Sequence, residues 1–319
     1  MNTADHPDSK GRSSRARLLL LLAFATIYFV WGSTYLAIRV AVETMPPFLM
    51  AGTRFLVAGT LLFAFSRRTY RGSLTREHWR SAFIVGGLML LGGNGLVCWA
   101  EQTVASGLAA LIIATVPLWM VMLDWWFFRR NRPSALTLLG LLTGLAGIWI
   151  LVQPSGASID RVDPAGAFAL LTACVAWAAG SLYARNAAFP PSTFLATAMQ
   201  MVAGGAALIV WGSLLGEWGR LELGKVPLGS WMALAYLIVF GGILALSAYT
   251  YLLKASTAAR VATYAYVNPV VALGLGWFFL DERISSRTLV ASAVILAAVV
   301  TIVAASPRRP QTSAPRKSP

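Results

Sequence analysis

The stretch WGSTYLAIR at Trp31–Arg39, followed by PPFLMAGTRFLVAG at Pro46–Gly59, is written twice in this chain. The second copy reads WAAGSLYAR at Trp177–Arg185 and PPSTFLATAMQMVAGG at Pro190–Gly205. A fixed shift of 146 residues carries Trp31 onto Trp177, Leu36 onto Leu182, Arg39 onto Arg185, Phe48 onto Phe194 and Gly59 onto Gly205. A later echo at a shift of 152 carries Pro117 onto Pro269, Trp125 onto Trp277 and Phe127 onto Phe279. Any two apolar helices look alike, because few residue types are used in lipid. Trp, Arg and Pro are scarce there, and they keep register, so the chain reads as an internal duplication.

Composition names the solvent. Hydrophobic residues make up 57% of the chain and charged ones 12%, with a mean hydropathy of +0.68. A soluble domain needs far more charged surface, and a bilayer does not. Crossing a hydrocarbon core takes about 20 apolar residues per helix. That rule predicts spans at 18–38, 47–65, 82–100, 105–127, 135–152, 166–184, 193–214, 231–253, 258–279 and 287–305. The expected fold is an all-α integral membrane protein with ten transmembrane helices, five per copy. A β-barrel would show short alternating segments in place of these continuous runs. The expected layout is a disordered cytoplasmic tail at 1–17, a first repeat at 18–152, an extracytoplasmic linker at 153–164, a second repeat at 165–305 and a second disordered tail at 306–319. The first apolar run is too long for a signal peptide and continues into the repeated unit, so an uncleaved first helix is expected.

A net charge of +14 raises the question of nucleic acid, and the placement of the charges answers it. With the amino terminus inside, 19 of the 26 Lys and Arg fall on the inner loops and tails, among them Arg67, Arg68, Arg71, Arg76, Arg80, Arg129, Arg130, Arg132 and Arg185. The outside receives Arg39, Arg161, Arg220, Lys225, Arg283 and Arg287, and Arg54 stays within a span. This is the positive-inside bias, which puts both termini in the cytoplasm and calls for no nucleic-acid partner. Five crossings per copy is an odd number, so the second copy is threaded oppositely: an inverted repeat, as in many secondary transporters.

Groups for chemistry are missing from the spans. The histidines are His6 in the tail and His78 in a loop, and no nucleophile–base set, paired carboxylates, phosphate-binding loop or metal spacing falls at membrane depth. No enzyme, cofactor or metal site is therefore expected. Cys98 and Cys174 read as small buried hydrophobes.

The spans do carry aromatic rings, small residues and amides. Pro117 and Pro269 sit near the middle of the fourth and ninth helices, where each frees the carbonyl four residues back. Matching helix breaks in inverted halves point to a midplane site, although a packing kink explains a proline as well. Tyr264 and Asn268 share one face a turn before Pro269, with Tyr266 pointing elsewhere. Asn94 lies between Gly93 and Gly95, where backbone or ligand approaches closely. The duplicated Trp31 and Trp177, with Ser33 and Ser181 nearby, are expected on a cavity wall. Arg54 is a functional candidate or a residue that snorkels to the outer surface. Glu101 is placed to pair with it or to take up a proton, and Asp124 to pair with Arg129 or Arg130. Arg39 and Arg185 read as interfacial anchors. Gly140, Gly144 and Gly147 form a small-residue stripe for close packing, inside the fold or across a dimer.

WGSTYLAIR, PPFLMAGTRFLVAG, GGNGLVCWAEQ, SGLAALIIATVPLW and YAYVNPVVALGLGWFFLDE together resemble the EamA family of the drug/metabolite transporter superfamily, nearest its YedA-type bacterial inner-membrane branch. The likeness covers roughly 18–305. It implies two inverted five-helix repeats in the bacterial cytoplasmic membrane, a shared central cavity and alternating-access export of small metabolites such as amino acids or amphipathic compounds. By motif position it assigns Pro117 and Pro269 to the family's mid-helix prolines, and Trp31, Asn94, Tyr264 and Asn268 to cavity-facing segments. The family's Gly-Glu pair after the fourth helix of each repeat is altered: Asp281–Glu282 stands in the second copy and no acid in RRNRPS at Arg129–Ser134. The partners implied are a small-molecule substrate and the lipid bilayer, with proton coupling and a monomer or homodimer left open. A lipid or lipid-carrier flippase, a non-transporting sensor or scaffold subunit, and a membrane enzyme are the rivals; the last lacks catalytic groups.

Overall fold

The computed structural model describes residues 17–128, 134–152, 163–256, 261 and 263–305, and no strand occurs among them. The expected tails up to 16 and from 306, most of the 153–164 linker, and Arg129, Arg130 and Arg132 lie outside the described residues, as does the side chain of Tyr266. In chain order the helices are α1 (Arg17–Val42), α2 (Pro47–Thr69), α3 (Arg76–Ala100), α4 (Ser106–Phe127), α5 (Ala135–Val152), α6 (Pro164–Ala184), α7 (Thr193–Leu214), α8 (Leu228–Leu252), α9 (Tyr264–Leu280) and α10 (Ser286–Ala305). Seven are long and apolar enough to cross a membrane; α5, α9 and α10 carry the shorter apolar runs Ala135–Gly147, Val267–Leu280 and Ser286–Thr301.

Local chemistry explains the ends. α2 opens on Pro46–Pro47, where a missing N–H costs nothing. At α3 the Thr75 hydroxyl accepts from the His78 N–H while His78 Nδ1 accepts from the Thr75 N–H, so the loop histidine is a helix cap. Asp163 caps α6 by accepting from the N–H groups of Ala165 and Gly166. α9 stops at Asp281, whose φ of 52° leaves the helix.

The interiors depart from regular winding in a pattern of their own. α4 is interrupted at 114–115, just before Pro117. α9 runs through Pro269 unbroken, which corrects the expectation of two matching breaks. The reason lies at Asn268. Backbone carbonyls of Tyr264, Tyr28 and Ile27 surround one end of its amide at 3.0–3.2 Å, so that end is the NH2, whose two hydrogens are shared among the three. These donors tie α9 to a π-helical turn of α1 at Thr26–Val30, steadying the proline turn. α3 and α8 hold longer π-helical stretches, Gly87–Gly95 and Leu237–Leu246, at corresponding places in the two copies.

Packing shows the duplication in three dimensions. α2 lies on α7, α4 on α9 and α5 on α10; α1 packs on α8 and α9, as α6 does on α3 and α4; α2 meets α8, as α7 meets α3. Exchanging each helix with the one five later reproduces this set of contacts. Small residues permit the close approaches. The α5 stripe works inside the fold, since a Cβ on Gly144 or Gly147 would meet Leu118 and Ala298, or Ile295, respectively. The outside is apolar, with exposed Phe65, Trp126, Trp149, Phe168, Trp211 and Trp277 near the helix ends, as aromatic belts require.

One end of the bundle carries Glu43, Glu101, Asp163, Glu217 and Glu282, and the other Arg67, Arg68, Arg71, Arg76 and Arg80; they are called the acidic and basic ends below.

Candidate functional site

Between the repeats lies a cavity lined by Trp31, Thr34, Tyr35 and Ile38 of α1, Arg54 of α2, and Gly93, Asn94 and Val97 of α3. Ile113 and Val116 of α4, Ala173 and Trp177 of α6, Gly241 of α8, and Tyr264 and Asn268 of α9 complete the wall. Its empty volume is about 600 Å³, counting the part open to the outside.

The side toward the basic end is aromatic. The Trp31 ring lies 5.8 Å from Trp177, 4.9 Å from Tyr249 and 5.4 Å from Tyr264, and Tyr249 lies 6.1 Å from Trp177 and 6.0 Å from Tyr264. Four rings from α1, α6, α8 and α9 thus meet across the repeats, several of them edge to face, which suits ring quadrupoles. Glycines set the distance. A Cβ on Gly93 would meet the Trp177 ring at 3.0 Å, and one on Gly241 would meet Thr34 Cγ2 at 3.0 Å.

Toward the acidic end the lining turns polar. The Arg54 Nη2–H donates to Asn94 Oδ1 at 2.8 Å, and its guanidinium carbon stands 4.2 Å from the Phe55 ring centroid. Arg54 is only 3% exposed. It does not snorkel to the surface: Asn94 and Phe55 hold it about 10 Å below the start of α2, at 1.5 Å per residue. Glu101 is fully buried, yet neither of its oxygens has a hydrogen-bond partner and it makes no ion pair with Arg54 among the described residues. Its backbone carbonyl instead accepts from Arg39 Nη1. Arg39 is therefore bonded inward, while Arg185 is exposed.

Beyond Glu101 the acidic end is fastened. Glu282, in the α9–α10 turn, accepts from the N–H groups of Ser106 (2.8 Å) and Gly107 (3.2 Å) at the start of α4. Glu217, after α7, accepts from Phe48 (3.3 Å) and Leu49 (2.8 Å) at the start of α2. Two carboxylates of the second copy thus cap two helices of the first, each favoured by the positive end of the helix dipole.

Of the residues singled out in the sequence, Trp31, Asn94, Trp177, Tyr264, Asn268 and Arg54 meet at the cavity. Ser33 and Ser181 do not. The Ser33 hydroxyl bonds Tyr236 at 2.6 Å and the Val30 carbonyl at 2.8 Å, while Ser181 is buried off the cavity. Pro117 stands next to the lining residue Val116, and Pro269 next to Asn268. Missed were Tyr35, Thr34, Tyr249, the two carboxylate caps and the Gly-Gly pairs at 92–93 and 241–242. The glycine pairs recur at a shift of 149, and that signal was readable. No cluster able to hold a metal occurs among the described residues.

The model of the EamA-like transporter family matches residues 18–153 and again 164–304. The chain is 39% identical over 290 residues to the protein described as the uncharacterized inner membrane transporter YedA of Escherichia coli (strain K12), covering 90% of this chain and 92% of that one. It is 24% identical to the uncharacterized transporter YoaV of Bacillus subtilis (strain 168), over 86% of this chain and 94% of that one. A solved crystal structure superposes with a TM-score of 0.61 at 21% identity, over 88% and 95% of the two chains, which is a likeness of fold.

Proposed function

We propose that this chain, which belongs to the EamA-like transporter family, carries a small organic solute out across the bacterial cytoplasmic membrane by exposing its cavity to each side in turn. The observation that supports the reading is a cavity shared by two copies and lined by rings from both, with Glu217 and Glu282 of the second copy capping helices of the first at the acidic end. A seam between two halves is where rocking opens a site. In this reading α5, α9 and α10 also cross the bilayer, making ten crossings in two oppositely threaded quintets. The basic end and both termini then face the cytoplasm, and the acidic end faces out. The Escherichia coli relative, described as an inner membrane transporter, supports the location. The rivals lose support from particular residues. A flippase calls for an exposed basic group near one leaflet, and Arg54 is buried. A scaffold calls for a solid centre, and this one is hollow.

Reconstitution into liposomes tests it. Preloaded vesicles should exchange at least one member of a panel of amino acids, aromatic carboxylates, amines and neutral aromatics, saturably and faster than protein-free vesicles. Equal rates with and without protein across the panel, with and without a proton gradient, would sink the proposal.

A further inference from the structure

Arg54 is 3% exposed, and its Nε–H and Nη1–H have no hydrogen-bond partner among the described residues. Nη2 alone is engaged, by Asn94. Glu101 is the carboxylate whose charge reaches Arg54, but the two form no ion pair among the described residues. A desolvated cation with no carboxylate in contact with it is costly to a fold. This one opens onto a cavity whose wall contains no Asp, Glu or Lys. A guanidinium meets a carboxylate through one edge, Nη1–Nη2 or Nε–Nη2, so a bidentate anion would share Nη2 with Asn94. The rings of Trp31, Trp177 and Tyr264 line the same cavity.

Resting on the transport reading above, we propose that Arg54 and Asn94 form an anion-binding head in the cavity, and that the solute is a small monoanion with an apolar or aromatic body. A carboxylate lies against the guanidinium and the body against the rings. A zwitterion is disfavoured, because its ammonium group would sit near Arg54 with no acid in the wall to answer it. A cation is disfavoured more strongly.

Intrinsic fluorescence reads the site directly, since Trp31 and Trp177 line it. The purified protein in detergent is titrated with benzoate, benzyl alcohol, benzylamine, phenylalanine and phenyl phosphate. Benzoate should quench saturably and bind at least about tenfold more tightly than benzyl alcohol, the worth of a charge-assisted pair. Arg54→Gln should lose about that factor, Asn94→Ala less, and Arg54→Lys should keep part of the binding. Thermal unfolding of each variant identifies any that fails to fold, and the remaining ones carry the test. Glu101→Gln should leave benzoate binding unchanged or tighter. Equal affinities for benzoate and benzyl alcohol, or an unchanged Arg54→Gln, would overturn the proposal. So would a Glu101→Gln that loses as much as Arg54→Gln, since Glu101 would then be part of the site. Tighter phenyl phosphate would overturn the carboxylate assignment. Counterflow in liposomes separates the two claims. Arg54-dependent binding of benzoate that never exchanges upholds the head and defeats transport. Exchange of phenylalanine or benzylamine that Arg54→Gln leaves intact upholds transport and defeats the head.

Discussion

Glu101 sits just past the last turn of α3, without accessible surface and without a bond to either carboxylate oxygen. Burial pushes the pKa of its carboxyl well up and Glu282 pushes it further, against the downward pull of Arg39 and Arg54. The folded chain therefore binds this proton more tightly than the unfolded one. The associated stability is full below the ordinary carboxylate range, near about 4.3, and is lost as pH rises through the raised value. Melting temperatures in detergent should accordingly fall more steeply with rising pH for the wild type than for Glu101→Gln, and parallel curves would defeat the argument. At this scale the sequence was a partial guide. An acid in an apolar setting flags itself, and so does an Arg within a span. That Arg54 would turn to Asn94 and leave Glu101 unpaired depends on how α2 and α3 are rotated, and no pattern of residues reports rotation. Ser33 shows the same limit: one turn of the helix decides whether a hydroxyl meets a ligand or, as it does, Tyr236.

On the acidic side α2 and α4 are capped across the molecule, whereas α6 on that side, and α3 and α7 on the basic side, cap themselves with Asp163, Thr75 and Ser192. Capping across the copies makes a latch. A carboxylate at a helix N-terminus contributes about 1 kcal/mol, roughly a fivefold shift in an opening equilibrium. Glu282→Gln should shift the acidic end toward its open form by about that factor. The measurement is the labelling rate of Val97→Cys, a cavity-lining position, by a membrane-impermeant maleimide in the Glu282→Gln background. Native Cys98 and Cys174 are buried and give little background. An unchanged rate would show that the latch carries no gating energy. The existence of these elements was legible, because their apolar runs and prolines are written in the chain. Their winding was not. The π-helical stretches of α3 and α8 fall on Gly-Gly pairs, but glycine in a span has many uses. Pro269 was read as a break because its missing N–H is visible in the sequence, while the Asn268 amide that steadies the turn comes into place on packing against α1.

The exchange of each helix with the one five later is the property of the whole chain that rested most firmly on sequence, since it needed only register between scarce residues. What the repeat could not show is how the halves seal against each other. The seal uses residues without counterparts: Glu282 has no equivalent acid in Arg129–Ser134, so any rocking proceeds through unequal latches at the two ends. A cross-link tests this directly. A Cβ placed on Gly276, near the acidic end of α9, would lie 2.9 Å from Ser106 Oγ at the start of α4, within disulfide reach. The double variant Ser106→Cys, Gly276→Cys joins the two copies at the point Glu282 holds. In preloaded liposomes the oxidised form should lose solute exchange and recover it on reduction, while each single variant, equally deprived of its native side chain, keeps exchange in both conditions. The Cβ on Gly276 also crowds the Glu282 carboxylate, so the Gly276→Cys single variant carries whatever displacing Glu282 costs, and the bond adds only the bar to separating α4 from α9. Full exchange with the disulfide formed would mean that the solute leaves without the acidic end parting, and the alternating cavity would have to be abandoned.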